Sequence, residues 1–155
     1  MNEHWPRWIF ASITKHFDAY KGSYPMYIEG QNRNDRTEDD LFEVRVDGPY
    51  FTEVSKGYWH IVVEVSILVQ SAIKDGGFHD IHKMVGKMAS AFQPIRVFRY
   101  GTGSDDDGTQ LGCLQLIADL SRRERIEISH FGQLQPALRI TQATVEGHYG
   151  MQITE

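Results

Sequence analysis

One run, YWHIVVEVSILVQ at 58–70, constrains the fold more than any other part of the chain. Trp59, Ile61, Val63, Val65, Ile67 and Val69 alternate without a break, the period-two signature of a strand with one wholly apolar side. At ~3.3 Å per residue the run spans roughly 43 Å. A compact chain of 155 residues has a radius of gyration of about 15 Å and is therefore about 40 Å across. A strand as long as its own domain predicts a blade that reaches past the body to touch something.

The flanking segments predict what packs on that strand. Trp5, Trp8, Ile9, Ser12, Ile13, His16, Phe17 and Tyr20 fall on one helical face, predicting a helix over 5–21. Pro6 suits its first turn and Gly22 the left-handed position past its end. A short strand is expected at 25–29, then a polar, charge-rich loop at 30–40. Phe42, Val44 and Val46 alternate with Glu43 and Arg45 as a half-buried strand. Asp47-Gly48-Pro49 reads as a turn, with a further strand at 50–55 and a second turn at Lys56-Gly57. The result is a meander over 41–70. Ile81, Met84, Val85, Met88, Ala89 and Phe92 predict a second helix over 78–92, stopped by Pro94. Strands are expected at 95–100, 111–118, 125–131, 137–146 and 148–154, filling 95–154. Helices and strands do not alternate regularly, and neither an internal repeat nor a domain boundary is visible. The expectation is a single α+β domain over 1–155, with a mostly antiparallel sheet, two helices packed on it and a long protruding strand or hairpin.

The chain has a 41% apolar and 12% aromatic composition, enough for a core without disulfide or metal staples. Sixteen basic against 21 acidic side chains give a net charge of −5, the wrong sign for gripping nucleic acid through its phosphates. The single cysteine, Cys113, lies in the apolar LGCLQLI and reads as a small buried hydrophobe. The first twenty residues are amphipathic, with no continuous apolar segment, so no secretion signal is expected. No apolar run approaches the length of a membrane-crossing helix.

Each candidate catalytic or metal motif has a plainer reading. His79 and His82, one turn apart, could share a metal with two further ligands, for which His60, His130 and His148 are available but not nominated by spacing. They read more simply as polar-face histidines at a helix start. Asp105, Asp106 and Asp107 are consecutive and lack the alternation and closing glutamate of a calcium loop. Gly101, Gly103 and Gly108 precede no helix bearing lysine and serine, so they do not cradle a phosphate. Arg96, Arg99, Arg122, Arg123 and Arg125, with Phe98 and Tyr100, could form a basic–aromatic surface for single strands. Ion pairing with Glu124, Glu127 and the acidic loops is the simpler reading. No catalytic residue and no cofactor is assigned.

The order of these elements resembles the tail-terminator and head–tail joining (neck) proteins of long-tailed bacteriophages. The likeness runs through the helix at 5–21, the meander ending in 58–70, the crossing helix at 78–92 and the strands at 125–154. It rests on order and length, and no signature motif accompanies it. It implies a non-enzymatic structural virion protein, made in the host cytoplasm. Copies of the subunit, six being the usual number, would form a ring that caps the tail tube and joins it to the head connector, away from any membrane. DNA would pass through the lumen. Each subunit would extend its neighbour's sheet. The residues expected at that interface are Tyr58, His60, Val62 and Glu64 on the less apolar side of the long strand, with Thr141 and Thr144 on a half-wet strand near the C-terminus. The acidic groups expected to face the channel are Glu38, Asp39, Asp40, Asp105, Asp106 and Asp107, where like charge would keep the genome from sticking. Two other readings stand beside this one. One is a small ligand-binding or enzymatic domain using Tyr58, His60 and Glu64. The other is a non-viral adaptor that pairs by a sheet edge.

Overall fold

The computed structural model describes residues 1–30, 39–73, 78–100, 108–117, 126–135 and 140–155. In chain order these form α1 (Trp5–Asp18), β1 (Met26–Ile28), β2 (Leu41–Ser55), β3 (Tyr58–Ala72), α2 (His79–Ala91), β4 (Ile95–Phe98), β5 (Gln110–Ile117), β6 (Ile126–Gln135) and β7 (Ile140–Thr154). The fold is α+β, as its sequence pattern predicts, with two helices and a mostly antiparallel, strongly curled sheet. The sheet runs β1-β2-β3-β7-β5-β4, and β6 also pairs with β7. Among the described residues only β1 pairs in parallel.

The alternating run forms β3, and Ile61, Val63, Val65, Ile67 and Val69 are all fully buried on the side facing the helices. It is not a lone blade. β2, β3 and β7 are each 15 residues long, and β3 is paired along its length by β2 on one side and β7 on the other. The meander therefore differs from the expected one. β2 runs unbroken through Asp47-Gly48-Pro49, where a bulge shifts the register between Asp47 and Tyr50. Gly48, at φ +101°, supplies the left-handed residue that lets the strand carry the bulge instead of turning.

The expected break between strands at 146 and 148 is likewise absent, because β7 passes straight through Gly147. A Cβ at Gly147 would sit 2.6 Å from Cδ1 of Phe92. The glycine marks a close approach of the chain after α2 to the sheet, which in sequence looks the same as a turn.

α1 buries Trp5, Trp8, Ile9, Ser12, Ile13 and Phe17. It ends at Asp18, three residues short of the expected end, with Lys15 and His16 in the last turn where the helix dipole favours cations. α2 buries Ile81, Met84, Val85, Met88 and Ala91. Phe92, just past it, packs on Phe17 (ring centroids 5.0 Å apart) and stacks on Tyr149 (6.2 Å). The Tyr149 hydroxyl donates to the Gln93 carbonyl at 3.0 Å. The His16 ring nitrogen Nε2 bonds the Ala91 carbonyl at 2.8 Å, so both helices are tied together at one end. Among the described residues no helix is long and apolar enough to cross a membrane.

Candidate assembly surface

A sheet edge carries unpaired N–H and C=O groups, so the flanks of this sheet decide what it can join. One flank is closed from within. The outer edge of β4 lies against α1, where the Ser12 hydroxyl, itself buried, accepts the Phe98 N–H at 3.1 Å. Above it Trp8 Nε1 and Arg7 Nη2 each donate to the Tyr100 carbonyl at 2.7 Å.

Two other edges are not closed. β1 covers β2 only opposite Phe42, Glu43 and Val44. From Arg45 to Ser55, no second strand pairs with β2 among the described residues. β6 pairs with β7 along Ile126–Gln135 and, among the described residues, has no strand on its other side. Tyr50 (57% exposed) and Val54 (62%) stand on the first edge, Ile128 (46%) and Phe131 (49%) on the second. They are four of the seven large apolar side chains that are exposed among the described residues. Their concentration on two edges marks these edges as unusual for a lone copy.

The residues expected at the interface are distributed differently. Tyr58, His60, Val62 and Glu64 do share the β3 face away from the helices, and all are half-buried. β3 is an inner strand, so they offer side chains and no free backbone. Tyr58 donates its hydroxyl to Gln152 Oε1. Glu64 lies 3.5 Å from His148 Nε2. His60 lines a shallow hollow of about 300 Å³ with Cys113, Gln115, Ile117 and Gly150. Cys113 is half-exposed, a departure from the buried position expected, and Gln115 Nε2 donates to its sulfur at 3.3 Å. Thr141 (3% exposed) and Thr144 (6%) are a correction to the expected interface, because both are buried within one copy. β7 lies between β3 and β6, and the free edge is one strand further out. The signal that could have located it is Ile128 and Phe131, large apolar residues that stay exposed on β6.

Of the acidic residues expected to face a channel, Asp39 is exposed and its carbonyl accepts from Gln70 Nε2 at 3.2 Å. Asp40 is half-buried, and its carboxylate accepts from Ser71 Oγ at 3.0 Å and the Ala72 N–H at 2.9 Å. It fastens the end of β3. Glu38, Asp105, Asp106 and Asp107 lie outside the described residues, as do Arg122, Arg123 and Arg125. Arg96 lines a cleft between α1 and β4 with Lys15, His16, Phe98 and Tyr100, while Arg99 lies over the Trp8 ring, so part of the expected basic–aromatic surface is assembled. His82 packs against His130 at 4.9 Å, but no three His, Cys, Asp or Glu side chains converge as metal ligands among the described residues.

No protein-family model matches the chain, and no curated protein matches it either.

Proposed function

We propose that the chain is a structural subunit of the tail-terminator or neck type, which assembles into a closed ring at the end of a phage tail tube and joins it to the head connector. The observation that carries this reading is a pair of edges, β2 beyond Val44 and β6, that no further strand covers among the described residues and that hold four of their seven exposed large apolar side chains. Two different edges on one copy are what a head-to-tail contact needs, and head-to-tail contacts close into rings when the rotation between copies permits. The polar groups on the open sheet face are already engaged with each other, as Tyr58 is with Gln152 and Glu64 with His148, which favours an assembly role over a ligand pocket built on Tyr58, His60 and Glu64. DNA would be in transit through the ring and would not be bound tightly, in keeping with the net charge of −5.

The test is electron microscopy of the purified chain, alone and mixed with tail tubes, alongside light scattering on a sizing column. Rings of uniform diameter, free or seated on tube ends, are expected. A chain that stays monomeric in both conditions refutes the assembly reading.

A further inference from the structure

We infer that the cleft between α1 and β4 is a binding site for a phosphate monoester, held by Ser12, Lys15 and Arg96 with its ester group against Phe98 and Tyr100. The site lies apart from the two open edges and does not depend on the ring reading.

The cleft has a volume of about 270 Å³, and Ser12, Lys15, His16, Arg96, Phe98 and Tyr100 are among its walls. Ser12, 3% exposed, is its deep end, and Lys15 and Arg96 stand exposed at its rim. No carboxylate lines it among the described residues. Asp18, the acid one turn after Lys15, is taken by Lys21 at 2.9 Å. Arg96 has no ion pair or hydrogen bond among the described residues. The dipole at the end of α1 accounts for Lys15, but Arg96 comes from a different element. Two cations therefore share one hollow with no anion between them.

The deep end adds a donor. A serine or threonine inside a helix commonly returns its proton to a carbonyl one turn back, as Thr14 does to Ala11 at 3.1 Å. Ser12 does not. Its oxygen accepts the Phe98 N–H at 3.1 Å, and among the described residues nothing accepts its proton. A buried hydroxyl with an unspent proton thus opens onto a cleft rimmed by two cations.

The walls are already fixed. The Tyr100 carbonyl accepts from Arg7 Nη2 and Trp8 Nε1, and Lys15 Nζ lies 5.7 Å from the centre of its ring. His16 is held by its bond to the Ala91 carbonyl. A site whose side chains are ordered beforehand loses little entropy on filling.

These groups select the ligand by charge and by acceptor count. A phosphate monoester carries about −1.5 to −2 at pH 7 and offers three strong acceptor oxygens. That matches two cations and three separate donors: the Ser12 hydroxyl, the Lys15 ammonium and the Arg96 guanidinium, whose planar fork suits a phosphate. A carboxylate or a backbone phosphodiester brings a single charge and would leave one cation unmatched. Phe98 and Tyr100 offer apolar surface for a ring or hydrocarbon carried by the ester.

The experiment is calorimetric titration of the full chain with phenyl phosphate and, separately, with benzoate. Arg96→Gln, Lys15→Gln and the control Lys56→Gln, exposed in the turn between β2 and β3, are each checked for the fold by circular dichroism. The expected result is saturable one-to-one binding of phenyl phosphate. Either cleft variant should weaken it roughly tenfold or more, as loss of a charged hydrogen bond does. Lys56→Gln should leave it unchanged. Absence of saturable binding, or equal weakening by Lys56→Gln, would overturn the site. Benzoate binding as tightly as phenyl phosphate would overturn the phosphate assignment. A single-stranded oligothymidylate binding more tightly than phenyl phosphate would overturn it in favour of a nucleic-acid surface.

Discussion

Replacing Tyr149 by phenylalanine should change stability in a way that reverses with pH. The side chain is fully buried on the helix side of β7, stacked on Phe92, and its hydroxyl donates to the Gln93 carbonyl. Removing the hydroxyl keeps the packing and deletes one buried hydrogen bond, a loss of about 1 kcal/mol near neutral pH. Burial, with a smaller contribution from Tyr20, pushes the phenol's pKa far above the ordinary tyrosine value. The unfolded chain releases this proton near pH 10 and the folded chain retains it. Above pH 10 the unfolded state therefore binds fewer protons, and stability falls as pH rises. One unit above that value the wild type has lost about 1.4 kcal/mol through this group alone. The variant cannot lose it. The remaining tyrosines titrate alike in both proteins and cancel in the difference. Wild type should be more stable by about 1 kcal/mol at pH 8, the two should be equal near pH ~10.6, and the variant should be ahead by about 0.4 kcal/mol at pH 11. Urea unfolding followed by far-ultraviolet circular dichroism measures each point. A difference that stays constant from pH 8 to pH 11 would show that the phenol is not held in its neutral form by the fold.

Other expected outcomes follow from single contacts. Ser12→Ala should cost about 1–3 kcal/mol in urea unfolding, because it leaves the Phe98 N–H on the closed edge of β4 without its acceptor. Gly147→Ala should lower stability by about 1–3 kcal/mol through overpacking against Phe92, read as a drop in melting temperature. Gly57→Ala should be worse than an ordinary turn substitution, since Gly57 has φ +77° and the new Cβ would collide with the Glu155 carbonyl oxygen; loss of the docked C-terminal strand end would appear as faster amide exchange at Thr154 and Glu155. Ile128→Lys with Tyr50→Lys should leave the monomer's melting temperature within about a degree, as exposed positions do, while abolishing rings in micrographs.

What could be read from the sequence, and what could not, divides along a physical line. The periodicity of β3 and of both helices was legible because each has a strongly one-sided apolar face, and burial of that face is what holds the fold together. Ile61 to Val69, Ile9, Ile13 and Phe17, and Ile81 to Met88 all lie where their spacing puts them. Glycine and proline misled, because they mark unusual backbone or close approach without saying which. Gly48-Pro49 sits in a bulge and Gly147 under a phenylalanine ring, yet both read as turns. The free edges were hidden for a different reason. Whether a strand is inner or outer depends on partners far away in the chain, and β7 looks half-wet by composition although it pairs on both sides.

That distinction bears on how such a chain avoids uncontrolled association. Three 15-residue strands side by side would present a long regular template if either outer one were bare and straight. Here the flank of β4 lies against a helix, and the flanks that are open among the described residues are each interrupted by two register shifts. Sealing and bulging are both defences against foreign strands, but only bulging leaves backbone groups free to pair. A protein that needed no partner could have sealed every edge as α1 seals β4. Two edges open among the described residues, opposed in direction and with large apolar side chains exposed on both, are what the proposed ring would need.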